Sequence, residues 1–177
     1  MRIEGLWLRA LAGILGWLGG RWIHRQRRLF GSRARPLTTQ EHDDLAGFFD
    51  QELLASVRIR AVEQVSRPWF VRPLAWLGLP LDMDFRSAAG ITFGDLILIS
   101  GLDPGRAVPT TLLFHEMVHV LQYQHLGIDG FARVYVRGWL ENGRAYLAIP
   151  LEQEAYAQED RFRAGERFRV KTREALS

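Results

Sequence analysis

The chain has 177 residues, 47% of them hydrophobic, which suits one folded domain with a buried core and excludes an intrinsically disordered protein. It contains no Cys, so disulfides and thiolate zinc sites are excluded, and any metal must bind to His and carboxylate side chains. The net charge of +3 is uneven, because residues 1–36 hold eight Arg and one acidic residue. These basic residues favour an anionic membrane surface over nucleic acid as a partner, and a solvated Arg-rich terminus is the alternative.

Residues 1–36 are predicted to form an N-terminal segment that contains an amphipathic helix. Its longest uncharged stretch, Ala10 to Gly20, has eleven residues, whereas a membrane-spanning helix needs about 20. One helical stripe carries the apolar side chains Trp7, Leu11, Leu15, Leu18 and Trp22. The stripe predicts an anchor on a membrane surface, and packing on the protein's own body is the alternative. We therefore expect a cytoplasmic protein with peripheral membrane association.

Residues 37–177 are predicted to form one domain. The spacing of Thr38 and Glu41 is that of a capping box, which predicts a helix as far as about Ala55. Alternating apolar and charged residues over 57–61 predict a strand. The segment 66–82 contains three Pro and two Trp and is predicted to be a loop. The segment ITFGDLILIS, residues 91–100, predicts a β-hairpin with a two-residue turn at Gly94 and Asp95.

Three further helices are predicted after the hairpin. The first runs from about Thr110 to Leu126 and ends at Gly127, and the second covers residues 130–140. The third begins at Pro150 and continues into the basic C-terminal residues. Helices around a short hairpin and strand predict an α+β fold.

The strongest functional signal is the sequence HEMVH, from His115 to His119. Residues four apart in a helix are separated by about 400° of rotation, so both imidazoles face one side and can reach one zinc ion. Glu116 is turned by about 100° from His115, so we expect it beside the metal, where it can act as a general base. The neighbouring residues are apolar, which predicts a buried helix. Burying two His and a Glu costs free energy unless they are paired or bind a metal, so their presence in this helix indicates a function. Chance occurrence of the motif is the alternative.

A zinc site needs a third protein ligand. His125 stands where metzincins have their third His, but Gln122 replaces the Gly that those enzymes need, and no Met follows the motif. This excludes the metzincin class. The remaining candidates are Glu152 and Glu154, which open the last predicted helix, although acidic residues are also common at a solvated helix N-terminus.

Residues 89–160 resemble the gluzincin-like zinc metallopeptidases, and especially small bacterial domains with the pattern HExxHxxQ and a later E-x-E-A. The Glu of the E-A pair is the third ligand in that family, so the resemblance implies Glu154, with Glu152 as the alternative. It also implies a hydrolase that cleaves peptide bonds with a zinc-bound water and Glu116 as general base. The Asp that follows the ligand by four in that family is absent, since Gln158 stands there.

The resemblance further implies a zincin-like arrangement, in which the strand at 96–99 is an edge strand that pairs with an extended peptide. A group that stabilises the oxyanion is expected among Arg133, Arg137, Arg144, Tyr146 and Tyr156. Two rival functions remain: a catalytically inactive metal-binding domain, and an adaptor that binds a membrane surface or nucleic acid through its basic ends. The presence of Glu116 favours activity, because a purely structural metal site has no use for it.

Overall fold

The computed structural model describes residues 2–65, 67–76, 88–102 and 106–172. Helices surround a small sheet, so the fold is α+β, as the sequence predicts. The α-helices in these ranges are α1 (Arg2–Gly31), α2 (Thr39–Leu45), α3 (Gln51–Ser56), α4 (Val71–Trp76), α5 (Thr110–Glu141) and α6 (Pro150–Arg163). The strands are β1 (Arg58–Val62), β2 (Gly90–Phe93) and β3 (Leu96–Ser100), and a short 3-10 helix covers Tyr146–Ala148.

The sheet is mixed, with β3 in its centre. β2 and β3 form the predicted antiparallel hairpin, and β1 pairs parallel to β3 on the other side. The prediction that residues 96–99 form an edge strand is therefore wrong, because both sides of β3 are hydrogen-bonded to neighbouring strands. Among the described strands, β2 pairs with β3 alone and lies at an edge of the sheet.

α5 is interrupted at Gly127, whose φ of 68° and ψ of 168° are not helical. A positive φ strains residues that carry a Cβ, so glycine is the residue suited to this break. The sequence predicts both the stop at Gly127 and a second helix after it, and both are present. The half of α5 before Gly127 carries HEMVH, and the half after it packs against α1.

Helices cover both faces of the sheet, which explains the unbroken apolar run of β3. Leu96 and Leu98 contribute to a hydrophobic cluster with α1 and the second half of α5. Ile97 and Ile99 contribute to a second cluster with α2, α3 and the first half of α5. Successive side chains of a strand point to opposite faces, so a strand covered on both sides is apolar throughout.

α1 packs on the body of the protein through the apolar stripe that the sequence identifies. Leu15 and Trp22 are buried in the cluster shared with α5, and Leu11 and Leu18 are partly buried against it. Arg27 also donates two hydrogen bonds to Asp95 in the hairpin turn, at 2.6 and 2.5 Å. Most of the stripe therefore lies in the core. No helix in the described part of the chain has the length and apolar character needed to cross a bilayer.

The helix predicted from Thr38 to about Ala55 is two helices, α2 and α3. The capping box is present, because Thr38 Oγ1 accepts from the Glu41 backbone N and Glu41 Oε2 accepts from the Thr38 backbone N. The break has a local cause in the poor helix former Gly47 and in Asp50, a residue type that favours the N-cap position it takes before α3.

Two other predicted elements differ from the structure. The segment 66–82, predicted to be a loop, contains α4, and the part of it beyond Trp76 lies outside the described residues. The last helix ends at Arg163, so the basic residues at 164–172 are not part of a helix. Gly165, with a φ of 74°, follows the end of α6 in a conformation that does not continue a helix.

Candidate metal centre

Three buried side chains from α5 and α6 converge on one point: His115, His119 and Glu152. The two Nε2 atoms are 3.2 Å apart, and each is 3.4 Å from Glu152 Oε2. In a tetrahedral zinc site with bonds of about 2.0–2.1 Å, neighbouring ligand atoms are about 3.3–3.4 Å apart. The three atoms therefore have the separations of three corners of such a tetrahedron, and the donor set of two His and one Glu suits catalytic zinc.

The outer nitrogens of the two imidazoles determine where their inner lone pairs point. His115 Nδ1 donates to Glu159 Oε2 at 2.9 Å, and His119 Nδ1 donates to Gln122 Oε1 at 2.8 Å. An imidazole that binds a metal is neutral, and with its hydrogen on Nδ1 each of these rings would present a bare Nε2 to the cluster. Two ring nitrogens and a carboxylate oxygen then face one another as acceptors, an arrangement that a bound cation stabilises.

The charges of the cluster also favour a cation. Burial lowers the pKa of His119, but the negative charge of Glu152 and its hydrogen bond outweigh this effect and raise the pKa to about 9. Burial raises the pKa of Glu152, but the positive charge of His119 and the hydrogen bonds from both imidazoles hold it well below its usual range. Glu152 is therefore ionised, and its negative charge favours a positive charge between the three side chains, which a bound metal ion would supply.

The structure brings Glu152, the alternative ligand, to the histidines, and places Glu154 elsewhere. Two residues along a helix correspond to about 200° of rotation, so the two carboxylates leave α6 on different sides. Glu154 Oε2 accepts a hydrogen bond from Gln122 Nε2 at 2.9 Å, and Gln122 Nε2 also donates to the Leu151 carbonyl at 3.0 Å. Glu154 therefore helps to orient Gln122, which in turn orients His119.

Two tyrosines hold the Glu152 carboxylate. Tyr135 donates to Oε1 at 2.9 Å from the second half of α5, and Tyr146 donates to Oε2 at 2.7 Å from the 3-10 helix. Burial and the negative charge of Glu152 raise the pKa of Tyr135 well above its usual value, so its hydroxyl remains a donor. These contacts fix the carboxylate that faces the two imidazoles.

Two of the five residues predicted as oxyanion candidates contact the cluster. Tyr146 does so through its hydroxyl, and the ring of Tyr156 lies 4.6 Å from the ring of His115. By contrast, the side chain of Arg133 lies beside α1, and the guanidinium of Arg144 lies over the ring of Trp139. Arg137 is exposed on α5. Tyr146 and Tyr156 are both partly exposed, so these two residues connect the cluster with solvent.

Glu116 lies between α5 and β2. Thr92 Oγ1 donates to Glu116 Oε2 at 2.7 Å, and a Cβ at Gly90 would be only 2.6 Å from Oε1, so glycine leaves the space that the carboxylate fills. Burial raises the pKa of Glu116, and the positive charges of His119 and His115 offset part of this effect. Glu116 is thus a buried carboxylate beside the cluster but outside its three ligand atoms.

Several contacts of the site are missing from the sequence prediction. Glu159 follows Glu152 by seven residues, or two helical turns, so the two side chains share a face of α6. This spacing could have predicted that Glu159 lies near the histidines. Thr92 and Tyr135 carry no such signal, because their contacts join segments that are distant in sequence. His125, which the sequence excludes as a ligand, is exposed and lies outside the cluster.

Comparison with protein-family models, curated proteins and solved structures finds no match to this chain. The described residues form an α+β fold with a buried cluster of two His and one Glu that could hold a metal ion. The assignment of a function therefore depends on the chemistry of this cluster and of the groups around it.

The contact between His115 and Glu159 gives a first prediction. Replacement Glu159→Gln removes the charge that supports the His115 ring, and we expect zinc affinity to fall by about 10–100-fold. Competition with a chromophoric chelator would measure the change. The matched control is Asp160→Asn, because Asp160 is the next residue of α6 and is exposed. Equal affinity in the two variants would show that Glu159 does not support a metal ligand.

Proposed function

We propose that this chain is a zinc-dependent metallopeptidase. In this proposal His115, His119 and Glu152 are the zinc ligands, and Glu116 is the general base. The observation that carries the proposal is the triangle of 3.2, 3.4 and 3.4 Å between three lone-pair atoms, with a fourth buried carboxylate on the residue next to one ligand. A structural metal site would need the triangle but not Glu116.

The chemistry follows from where the side chains lie. When bound, zinc would lower the pKa of a water molecule and polarise the scissile carbonyl group. Glu116 takes the proton from the attacking water and later donates it to the leaving amine. Thr92 keeps one oxygen of the carboxylate fixed during the exchange.

The substrate in this proposal is an extended peptide. β2 lies at the edge of the described sheet, and Gly90 and Thr92 of this strand touch the Glu116 carboxylate. A peptide that pairs with the edge of β2 would therefore pass beside the general base. Tyr156, which is partly exposed and whose ring lies beside that of His115, is then the candidate to donate to the oxyanion, because the Tyr146 hydroxyl already donates to Glu152.

A metal-binding domain without activity is the second candidate, and burial favours it. His115, Glu116 and His119 are only 6%, 4% and 6% exposed. A peptidase must admit both water and a peptide bond to this cluster. The two functions share the ligands and differ in hydrolysis alone.

Metal analysis and a peptide assay test the proposal together. We expect about one zinc per wild-type chain, little zinc in the double variant His115→Ala/His119→Ala, and normal zinc in the control His125→Ala. Wild-type protein should cleave members of a broad peptide library, lose this activity with a chelator and regain it with zinc. Zinc content that is the same in the double variant as in the control would refute the site, and zinc without cleavage would favour the inactive domain.

A further inference from the structure

The outward side of α1 carries a second apolar stripe, which is distinct from the one buried against α5. Trp7, Ile14 and Trp17 are 74%, 58% and 58% exposed. Positions 7, 14 and 17 fall within about 80° of one another around a helix. Further along the same side are Arg21, Arg25 and Arg28, all exposed. We call the following set the outer face of α1: Trp7, Ile14, Trp17, Arg21, Arg25 and Arg28.

Scattered exposed apolar residues are normal on a protein surface, but the outer face concentrates three large ones on a helix whose other side is already packed. The buried side of α1 ties the helix to the body through Leu15, Trp22 and the Arg27–Asp95 pair. The helix is thus held rigidly with two indoles turned outward. The guanidinium of Arg21 lies 5.2 Å from the centre of the Trp17 ring, which joins the apolar and basic parts of the face.

Charge identifies the partner. Residues 1–36 contain eight Arg and one acidic residue, so the partner must be anionic. Trp side chains favour the boundary between lipid headgroups and acyl chains, and Arg residues are attracted to anionic headgroups. Nucleic acid fits less well, because the aliphatic Ile14 and the indole of Trp17 would lie against phosphates in the part of the face that has no basic residue.

We propose that the outer face of α1 docks on an anionic lipid surface, independently of any peptidase activity. The helix lies parallel to the surface, with Trp7, Ile14 and Trp17 at the boundary of headgroups and acyl chains. The three arginines contact the headgroup phosphates and carboxylates further along the helix. This face shares Trp7 with the stripe that the sequence predicts for membrane contact, but the rest of that stripe packs against the body of the protein.

Co-sedimentation of the full chain with phosphatidylcholine vesicles, with and without phosphatidylserine, tests the basic half of the face. We expect binding only with phosphatidylserine, and binding that weakens as salt is added. Arg21→Glu/Arg25→Glu should weaken it by at least about tenfold. The control Arg167→Glu/Lys171→Glu makes the same change in net charge at exposed residues of the C-terminal segment and should weaken it by less than about threefold.

The apolar half is tested without a change of charge. Ile14→Gln/Trp17→Gln should also weaken binding by about tenfold. The two apolar side chains gain free energy when they move from water into the lipid boundary, and the polar Gln side chains do not. Since the chain has no Cys, Ile14→Cys gives one site for an environment-sensitive fluorophore. Its emission should shift to the blue when phosphatidylserine vesicles are added, whereas the same label on Lys171→Cys should not shift.

Several results would overturn the proposal. Equal losses in the two charge-reversed pairs would mean that overall charge, and not the outer face, drives binding. Unchanged binding by Ile14→Gln/Trp17→Gln, or no shift of the label at position 14, would mean that the apolar side chains do not enter the lipid. Failure to bind vesicles, together with salt-sensitive binding to a DNA duplex, would identify nucleic acid as the partner.

Discussion

Glu116→Gln is expected to abolish peptide hydrolysis while the protein keeps about one zinc per chain. General-base help contributes about 10²–10⁴-fold to a rate, and the amide of Gln cannot accept the proton of the attacking water. Zinc should stay, because the Glu116 carboxylate is not one of the three atoms that converge on the centre. Gln nearly matches Glu in size and can still accept the hydrogen bond from Thr92 Oγ1. Initial rates on a cleaved library peptide, with metal analysis of the same samples, measure both effects.

The control for this variant is Glu116→Asp, which keeps a carboxylate but withdraws it by one methylene group. We expect its rate to lie between those of the wild type and Glu116→Gln, with zinc retained in all three proteins. Equal rates for wild type and Glu116→Gln would rule out Glu116 as the base. Loss of zinc from Glu116→Gln would place this side chain among the ligands instead.

Glu152→Gln is expected to lose zinc, and Glu154→Gln is expected to keep it. Both residues are buried on α6, so the pair is matched in chemistry and in burial. The Glu152→Gln substitution replaces an anionic ligand by a neutral amide that binds zinc weakly, and we expect affinity to fall by more than the roughly 10–100-fold typical of residues that only support ligands. Gln at position 154 can still accept the hydrogen bond from Gln122 through its side-chain oxygen, so the orientation of His119 should survive.

Chelator competition on the two variants, with circular dichroism to establish that both are folded, gives the affinities. The opposite result, with zinc lost from Glu154→Gln and kept by Glu152→Gln, would restore the ligand that the sequence favours. It would also mean that α6 is rotated in the metal-bound protein relative to the structure described here. Equal retention of zinc in both variants would show that neither carboxylate of α6 is a zinc ligand.

Local patterns were sufficient for much of the fold. The capping box at Thr38, the hairpin turn at Gly94 and the break of α5 at Gly127 each depend on residues that are close in sequence. The same holds for HEMVH, because helical geometry alone places His115 and His119 on one side of α5. Such features can be predicted because the interactions that form them act within a few residues of the chain.

Long-range packing decided the rest. The rotation of α6 relative to α5 places Glu152, and not Glu154, beside the two histidines, and no pattern within α6 predicts that rotation. The pairing of β1 with β3 puts β3 in the centre of the sheet, although the two strands are about 35 residues apart. An apolar helical stripe can face lipid or protein equally well, so the burial of Leu15 and Trp22 depended on the presence of α5. In each case the deciding free energy comes from surfaces that meet only when the chain has folded.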